Sequence, residues 1–186
     1  MEFVAGQSYL LQADSGKGKS SLFAYIYGYR DDFEGEILFD GRRTPPVGSP
    51  EWDTIRQSRI GILFQDLKIF PELTAIENIE LKNRLQAYKS EAETDDMLRR
   101  LEISDKSHQP CGKLSWGQQQ RVAIIRTLCQ PFDFLLLDEP ISHIDDRMAR
   151  IVAELIAEEV ASRQAAVVVS SIGKELPITY DNTLNL

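Results

Sequence analysis

Four short apolar runs recur along the chain. They occupy residues 8–12, 60–64, 134–137 and 165–169, and each contains leucine, isoleucine or valine. A short apolar run bounded by turn residues predicts a buried β-strand. The two later runs are unbroken by polar side chains, which is typical of a parallel strand covered on both faces.

Between these runs, apolar residues recur with helical spacing. One predicted helix follows residue 20 and presents a single face made of Leu22, Tyr25, Ile26 and Tyr29. A second apolar stripe follows the third strand and consists of Met148, Ile151, Val152, Leu155 and Ile156. Strands that alternate with such helices predict an α/β fold with a parallel sheet flanked by helices.

Two segments depart from this alternation. Residues 41–50 are rich in glycine and proline and predict a surface loop. Residues 71–113 are more polar and helical in pattern, and Ser90 with Glu93 forms a capping box that opens a helix. We therefore expect an α-helical subdomain inserted into the α/β core.

Composition narrows the function classes. The chain has 186 residues, 42% of them hydrophobic, and a formal net charge of -8, which argues against nucleic-acid binding. No apolar run reaches membrane-spanning length and no signal-peptide pattern opens the chain. Cys111 and Cys129 have no paired spacing and predict reduced thiols. Any work at a membrane is expected from the cytoplasmic face, through a partner and without direct insertion.

The first strand leads into a glycine-rich turn and then a helix. Such a turn lets backbone N–H groups and a helix N-terminus surround phosphate oxygens. Lys19 would reach the β- and γ-phosphates of a nucleotide and Ser20 would ligate Mg²⁺. Ala13 stands where the strict motif has its first glycine, so a flexible turn without ligand is the alternative.

Asp138 and Glu139 end the third apolar run and precede a proline. A carboxylate at a strand end can hold Mg²⁺ through water, and its neighbour can polarise an attacking water. The alternative is an acidic pair that only caps the following helix.

Five segments in order resemble motifs of the nucleotide-binding domain of ABC transporters. LSWGQQQRVAIIRTL (114–128, the signature segment) resembles the family signature, FLLLDEP (134–140) its Walker B strand and ADSGKGKSS (13–21) its Walker A loop. Residues 64–79 resemble the Q-loop and the start of the helical subdomain, and residues 142–145 the D-loop. A finer resemblance is to small bacterial cassettes of the lipoprotein-release, macrolide-export and cell-division type.

The resemblance implies one cassette, with a P-loop core at 1–70 and 121–186 and a helical signature subdomain at about 71–120. It also implies a head-to-tail dimer, of two identical copies or of two related cassettes, with ATP and Mg²⁺ between them. The implied ATP-binding residues are Ser15, Gly16, Lys17, Gly18, Lys19, Ser20, Ser21, Ser115, Gly117 and Gln118. The implied Mg²⁺ ligands are Ser20, Gln65 and Asp138.

In the same resemblance Glu139 is the general base. Gln65 touches Mg²⁺ or the attacking water and reports to an integral membrane permease subunit. Asp145 crosses the dimer interface. The implied activity is ATP hydrolysis by a cytoplasmic subunit that lies peripherally on the inner face of the cell membrane.

Three departures bear on activity. Ser171 occupies the catalytic position at which the family carries a switch histidine, and serine cannot carry a positive charge. Trp116 replaces a signature glycine, at a position expected to tolerate it. The N-terminal antiparallel strands are shortened, and Phe3 and Tyr9 are the only aromatic residues ahead of the loop; a mis-assigned start would give the same picture.

These departures leave alternatives open. The main expectation is a transporter ATPase with weakened turnover. A degenerate regulatory cassette would bind nucleotide with little turnover, and a cell-division-type cassette would signal rather than transport. A cassette acting on ribosomes or DNA is disfavoured, because the chain has neither a second cassette nor coiled-coil arms.

Overall fold

A computed structural model describes residues 1–12 and 18–186 and shows the predicted parallel sheet. Five strands pair in the order β4–β5–β6–β1–β7, and every pairing is parallel. Their bounds are β1 Ser8–Gln12, β4 Ile60–Leu63, β5 Phe134–Asp138, β6 Ala166–Ser171 and β7 Asn182–Asn185. The α/β architecture expected from the apolar runs is confirmed.

Helices cover the sheet and form the insertion. Their bounds are α1 Lys19–Ile26, α2 Glu51–Ser58, α3 Ala75–Gln86, α4 Glu91–Arg100, α5 Trp116–Leu128 and α6 Asp146–Arg163. Both halves of the predicted capping box at Ser90 and Glu93 are formed. None of the helices in the described part of the chain is long and apolar enough to cross a membrane.

The two faces of the sheet belong to different apolar clusters. Alternating residues of β5 separate them, since Leu136 packs with Phe23 of α1, while Leu135 packs in the larger cluster on the opposite face. That larger cluster contains residues of α3, α4, α5 and α6 together. The inserted helices therefore share one core with the sheet. The division at about 71–120 stays a prediction, and α5 runs unbroken across its second limit.

One local prediction was wrong and another was right only in part. Tyr29 does not continue the face of α1, because the helix ends at Ile26. Gly28, at φ 70°, closes it with the paired bonds of a Schellman motif, in which Tyr29 N–H donates to the Ala24 carbonyl. The loop at 41–50 begins inside a strand pair, since β3 (Arg42–Arg43) pairs antiparallel with β2 (Leu38–Phe39). Residues 1–7 contain no strand.

Both cysteines are free and buried, in line with the reduced thiols expected from the sequence. Burial raises the pKa of Cys129 to about 12, so this thiol stays protonated and unreactive near neutral pH. Asn78 donates a hydrogen bond to the Cys111 sulfur and also to backbone carbonyls around residue 73. The cysteines thus belong to the packing of the inserted helices.

Candidate active site

The carboxyl ends of the parallel strands meet at one edge of the sheet and bring the predicted site residues together there. Asp138 ends β5 opposite Ser170 of β6, and Gln12 ends β1 opposite Ser171. Gln65 follows the end of β4, the neighbour of β5. Residues separated by more than a hundred positions in the chain therefore line a common edge.

The predicted phosphate turn follows β1 in the sequence. Ser15, Gly16 and Lys17 lie outside the described residues. Gly18 is the N-cap of α1 and has a left-handed conformation with φ 96°. Lys19 is buried, with 5% of its surface exposed, and its charge acts on Glu139. A buried lysine at this helix N-terminus concentrates positive charge next to the acidic pair.

The two serines after Lys19 differ in their surroundings. Ser20 is exposed at the start of α1. The Ser21 hydroxyl accepts a hydrogen bond of 3.0 Å from Arg30. Of the two, Ser20 is the serine left facing solvent at the helix N-terminus, in the position predicted for a Mg²⁺ ligand.

Hydrogen bonds with Ser170 and Gln65 hold the acidic pair, Asp138 and Glu139, in place. Asp138 is buried and accepts a hydrogen bond from the Ser170 hydroxyl. Glu139 has a left-handed φ of 50°, which turns it out of the strand, and its N–H donates to the Ser170 carbonyl at 3.1 Å. Gln65 donates its side-chain amide to the Glu139 carboxylate at 3.1 Å. A non-glycine residue in this conformation is a strained position of the kind found at active sites.

The surroundings of Glu139 suit a proton acceptor. Burial raises the pKa of its carboxyl and Asp138 raises it further, whereas the charges of Lys19 and His143 oppose the shift. A general base works best when its pKa lies nearer the working pH. The net upward direction therefore moves Glu139 towards that condition.

The signature segment (114–128) contains α5 and the capping box at its N-terminus. Ser115 is the N-cap and forms a reciprocal capping box with Gln118, whose side-chain oxygen accepts from the Ser115 N–H at 2.9 Å. A Cβ on Gly117 would lie 2.5 Å from the His143 carbonyl oxygen, so this position requires glycine. Trp116 is half-exposed and meets the His143 ring edge-on, with 5.7 Å between centroids. The departure at Trp116 is thus accommodated by a contact with His143.

Sequence reasoning missed Gln120, which ties the signature segment to the acidic pair. Its buried side chain donates to the Glu139 carbonyl at 3.0 Å and accepts from the His143 N–H at 3.2 Å. Its spacing of three and four residues from Ala123 and Ile124, both buried, places it on the inner face of α5. A polar residue on that face was the signal that could have revealed it.

Ser171 does not contact the acidic pair through its hydroxyl. That hydroxyl donates to the Lys174 carbonyl at 2.8 Å, within its own turn, while the neighbouring Ser170 contacts Asp138. Asp145, the residue predicted for the interface, caps α6 by accepting from the Met148 N–H at 2.9 Å.

Comparison with known proteins places this geometry in a family. The sequence profile described as "ABC transporter" matches residues 1–142. The chain is 32% identical to the lipoprotein-releasing system ATP-binding protein LolD 2 of Rhodopseudomonas palustris over 186 residues, covering 98% of this chain and 80% of that protein. It is 34% identical to LolD of Nitrobacter winogradskyi over 188 residues, again covering 98% and 80%.

Solved structures agree. The post-hydrolysis dimer of the ATP-binding cassette MJ0796 bound to ADP and Pi has a TM-score of 0.80 at 29% identity, covering 92% of this chain and 77% of that one. A putative ABC transporter ATP-binding protein of Pyrococcus furiosus shares the fold with a TM-score of 0.80 at 24% identity, covering 100% and 87%. The family resemblance noted in the sequence is confirmed, and relatives of the lipoprotein-release type are among the matches: the chain belongs to the ABC transporter family, as an ATP-binding subunit.

Proposed function

We propose that this subunit hydrolyses MgATP between two copies of itself arranged head to tail, and that hydrolysis drives a membrane partner. The observation that carries the proposal is the convergence on Glu139. Its carboxylate accepts a hydrogen bond from Gln65, its pKa is raised, and the charge of Lys19 reaches it. A general base, an orienting amide and a phosphate-binding cation therefore share one edge of the sheet.

The residues at this edge fit ATP with Mg²⁺. Gly18 and Lys19 begin α1 with a positive group at a helix N-terminus, which suits phosphate oxygens. No group of three or more His, Cys, Asp or Glu residues forms a metal cage anywhere in residues 1–12 and 18–186. Mg²⁺ in nucleotide sites needs only one or two protein groups besides phosphates and water. Ser20, Gln65 and Asp138 offer the hydroxyl and carboxamide or carboxylate oxygens that this ion prefers.

Glu139, Gln65 and Lys19 then have separate roles in hydrolysis. When bound, Mg²⁺ neutralises charge on the phosphate oxygens. Glu139 accepts the proton of the attacking water, and Gln65 holds the carboxylate in line. Lys19 stabilises charge that develops on the γ-phosphoryl oxygens. Ser115, the Gly117 backbone and Gln118 complete the site of the opposite copy.

The dimer and the membrane partner rest on the relatives. The solved cassette MJ0796 is dimeric and binds ADP and Pi, and several relatives are named as ATP-binding proteins of a lipoprotein-releasing system. By this likeness the subunit works in the cytoplasm, peripherally on the inner face of the membrane, through a permease subunit. A permease of the lipoprotein-releasing type is the partner we favour.

One observation favours a second function, a regulatory cassette with little turnover. The Ser171 hydroxyl is engaged with the Lys174 carbonyl, so the donor that a switch histidine would supply is directed elsewhere. In that case ATP would bind and bring two copies together, and its hydrolysis would be residual.

The test is the dependence of ATP hydrolysis on protein concentration. Turnover per subunit should rise with concentration and saturate, because two copies form each site, and ATP but not ADP should shift the protein to a dimer in light scattering. Omission of Mg²⁺ should abolish hydrolysis. Turnover that does not depend on concentration would contradict a shared site. An ATP-driven dimer with no measurable phosphate release would identify the regulatory cassette instead.

A further inference from the structure

The turn at the end of β6, residues 171–176, links β6 to the end of β1 and to the start of α6. Its own shape is fixed by the hydrogen bond from the Ser171 hydroxyl to the Lys174 carbonyl at 2.8 Å. Leu176 anchors its far end in the core, with 1% of its surface exposed. The side chains between these two points reach away from β6 in different directions.

Lys174 reaches the start of α6. Its ammonium donates to the Ile144 carbonyl and lies 2.9 Å from an Asp146 carboxylate oxygen. These two contacts bracket Asp145, the N-cap of α6. The pKa of Asp146 is lowered, first by the hydrogen bond from Lys174 and then by its charge, which agrees with a formed contact.

The neighbouring residue reaches the other end of the site. Glu175 accepts a hydrogen bond of 2.8 Å from the Gln12 side chain, at the last residue of β1. The phosphate turn begins immediately after that strand. Two adjacent side chains of one turn therefore contact the strand that leads to the phosphates and the residues that begin α6.

We propose that Lys174 is a positioning residue for ATP hydrolysis, holding residues 144–146, and with them Asp145, in the arrangement that the interface between two copies uses. This inference rests on the proposed function, since it assumes that Asp145 works at that interface. Nothing in it requires Lys174 to touch the nucleotide. The turn would contribute through an ammonium directed at the start of α6, and not through a donor to the γ-phosphate.

A purely structural role for Lys174 is the weaker reading, because its pair is exposed. Asp146 keeps 84% of its side-chain surface in water and Lys174 keeps 37%. Exposed ion pairs of this kind contribute little to the free energy of unfolding. Loss of the pair should therefore leave the fold nearly unchanged, and its effect should appear in turnover and in ATP-driven dimerisation.

The test compares Lys174→Met, which keeps the aliphatic stem and removes the charge, with Lys174→Arg, which keeps the charge. In the purified chain, Lys174→Met should lower kcat by about tenfold, because residues 144–146 are no longer held for the interface, with the KM for ATP and the melting temperature unchanged. Lys174→Arg should recover at least half of kcat. Lys106→Met is the matched control, since Lys106 pairs with the exposed Asp105 at 3.5 Å, away from the site edge.

A second measurement separates this inference from the proposed function. In a Glu139→Gln background, which holds the ATP-bound dimer, Lys174→Met should weaken ATP-driven dimerisation, and Asp146→Asn combined with it should add little. Unchanged kcat and dimerisation in Lys174→Met would overturn the inference alone. If Lys174→Met lowers both kcat and the melting temperature, and Lys174→Arg restores neither, Lys174 would be assigned to folding instead. A parent chain that neither hydrolyses ATP nor dimerises with it would overturn both.

Discussion

The side-chain amide of Gln65 donates to the carboxylate of Glu139 across 3.1 Å, joining the exits of β4 and β5. The side-chain amide of Gln120 donates to the backbone carbonyl of the same glutamate at 3.0 Å. One amide thus orients the reactive group and the other fixes the backbone that carries it. Because Gln120 belongs to α5, we expect a displacement of the signature segment to move Glu139, the proposed general base.

Replacement of Glu139, the proposed general base, should abolish ATP turnover without weakening ATP binding. Glu139→Gln keeps a hydrogen-bonding side chain of the same size but cannot accept a proton from water. We expect ATP affinity to stay within a factor of two and turnover to fall by at least about a hundredfold, the usual size of a general-base contribution. Calorimetry, phosphate release and light scattering would measure this, and an ATP-bound dimer should accumulate. Glu72→Gln, at an exposed glutamate, is the control. Hydrolysis at the parent rate in Glu139→Gln would remove Glu139 from this role.

The pH profile should report the raised pKa of Glu139. The carboxylate must be deprotonated to act, so activity should fall as the pH drops through its pKa, at a higher pH than for an ordinary glutamate near about 4.3. The His143 charge opposes the upward shift. His143→Gln, which removes that charge, should therefore move the acid limb of kcat to still higher pH. An acid limb that stays in place in this variant would show that His143 does not act on Glu139.

Lys19 should be needed for nucleotide binding. Lys19→Ala removes a buried cation at the start of α1 and a charge-assisted contact worth about 1.5–3 kcal/mol. Affinity for ATP should fall by about 10- to 150-fold, measured by calorimetry with Mg²⁺ present. Affinity for a nucleoside without phosphates should hardly change. Equal ATP affinity in the variant and the parent would refute the phosphate-turn assignment.

Gly117 should tolerate no side chain. A Cβ would meet the His143 carbonyl oxygen at 2.5 Å, and that oxygen belongs to backbone that cannot rotate away. Gly117→Ala should lower the free energy of unfolding by about 1–3 kcal/mol, as overpacking does, and also lower turnover by displacing the residues beside Glu139. Denaturant unfolding and ATPase rates measure both effects. Trp116→Ala, at the neighbouring exposed side chain, should leave the free energy of unfolding within about 0.5 kcal/mol.

Most of the fold could be predicted from local sequence patterns. The unbroken apolar run of β5 and the stripe on α6 depend on burial alone, so periodicity revealed both. The end of α1 was missed because the apolar face continues to Tyr29, while the termination depends on Gly28 adopting a left-handed conformation. Such a turn competes with helix continuation by a small free energy, which a stripe of apolar residues does not report.

The site was predictable as a set of motifs but less so as a set of contacts. Asp138 and Glu139 were predicted from the strand end at which they lie, and Gln65 from the family resemblance. Their partners Ser170 and Gln120 were missed, because both act through register and helix packing between distant segments. Ser171 was placed at the right strand end, but the direction of its hydroxyl depends on the turn that follows. Side-chain direction at a strand end thus depends on contacts that an apolar run or a motif does not report.

The position of Ser171 leads to the last prediction, that the parent chain hydrolyses ATP slowly and that Ser171→His accelerates it. Charge builds on the γ-phosphoryl oxygens in the transition state, and a donor that strengthens there lowers the barrier. The Ser171 hydroxyl donates to the Lys174 carbonyl, and Lys19 with Mg²⁺ is left to stabilise most of that charge. An imidazole has the longer reach and can carry a proton, so a gain of about tenfold in kcat would correspond to about 1.4 kcal/mol.

Two controls separate the new donor from the lost turn contact. Ser171→Ala removes the hydrogen bond to Lys174 without adding a donor, so its kcat should not rise. Ser171→Asn adds a side chain of intermediate size that cannot become cationic, and should gain less than the histidine variant. Steady-state rates are compared at equal dimer concentration, because a change in dimerisation alone would imitate a change in kcat. If the parent chain hydrolyses ATP rapidly and Ser171→His leaves the rate unchanged, this cassette stabilises the transition state without a histidine. The turn held by Ser171 and Lys174 would then be sufficient for full activity.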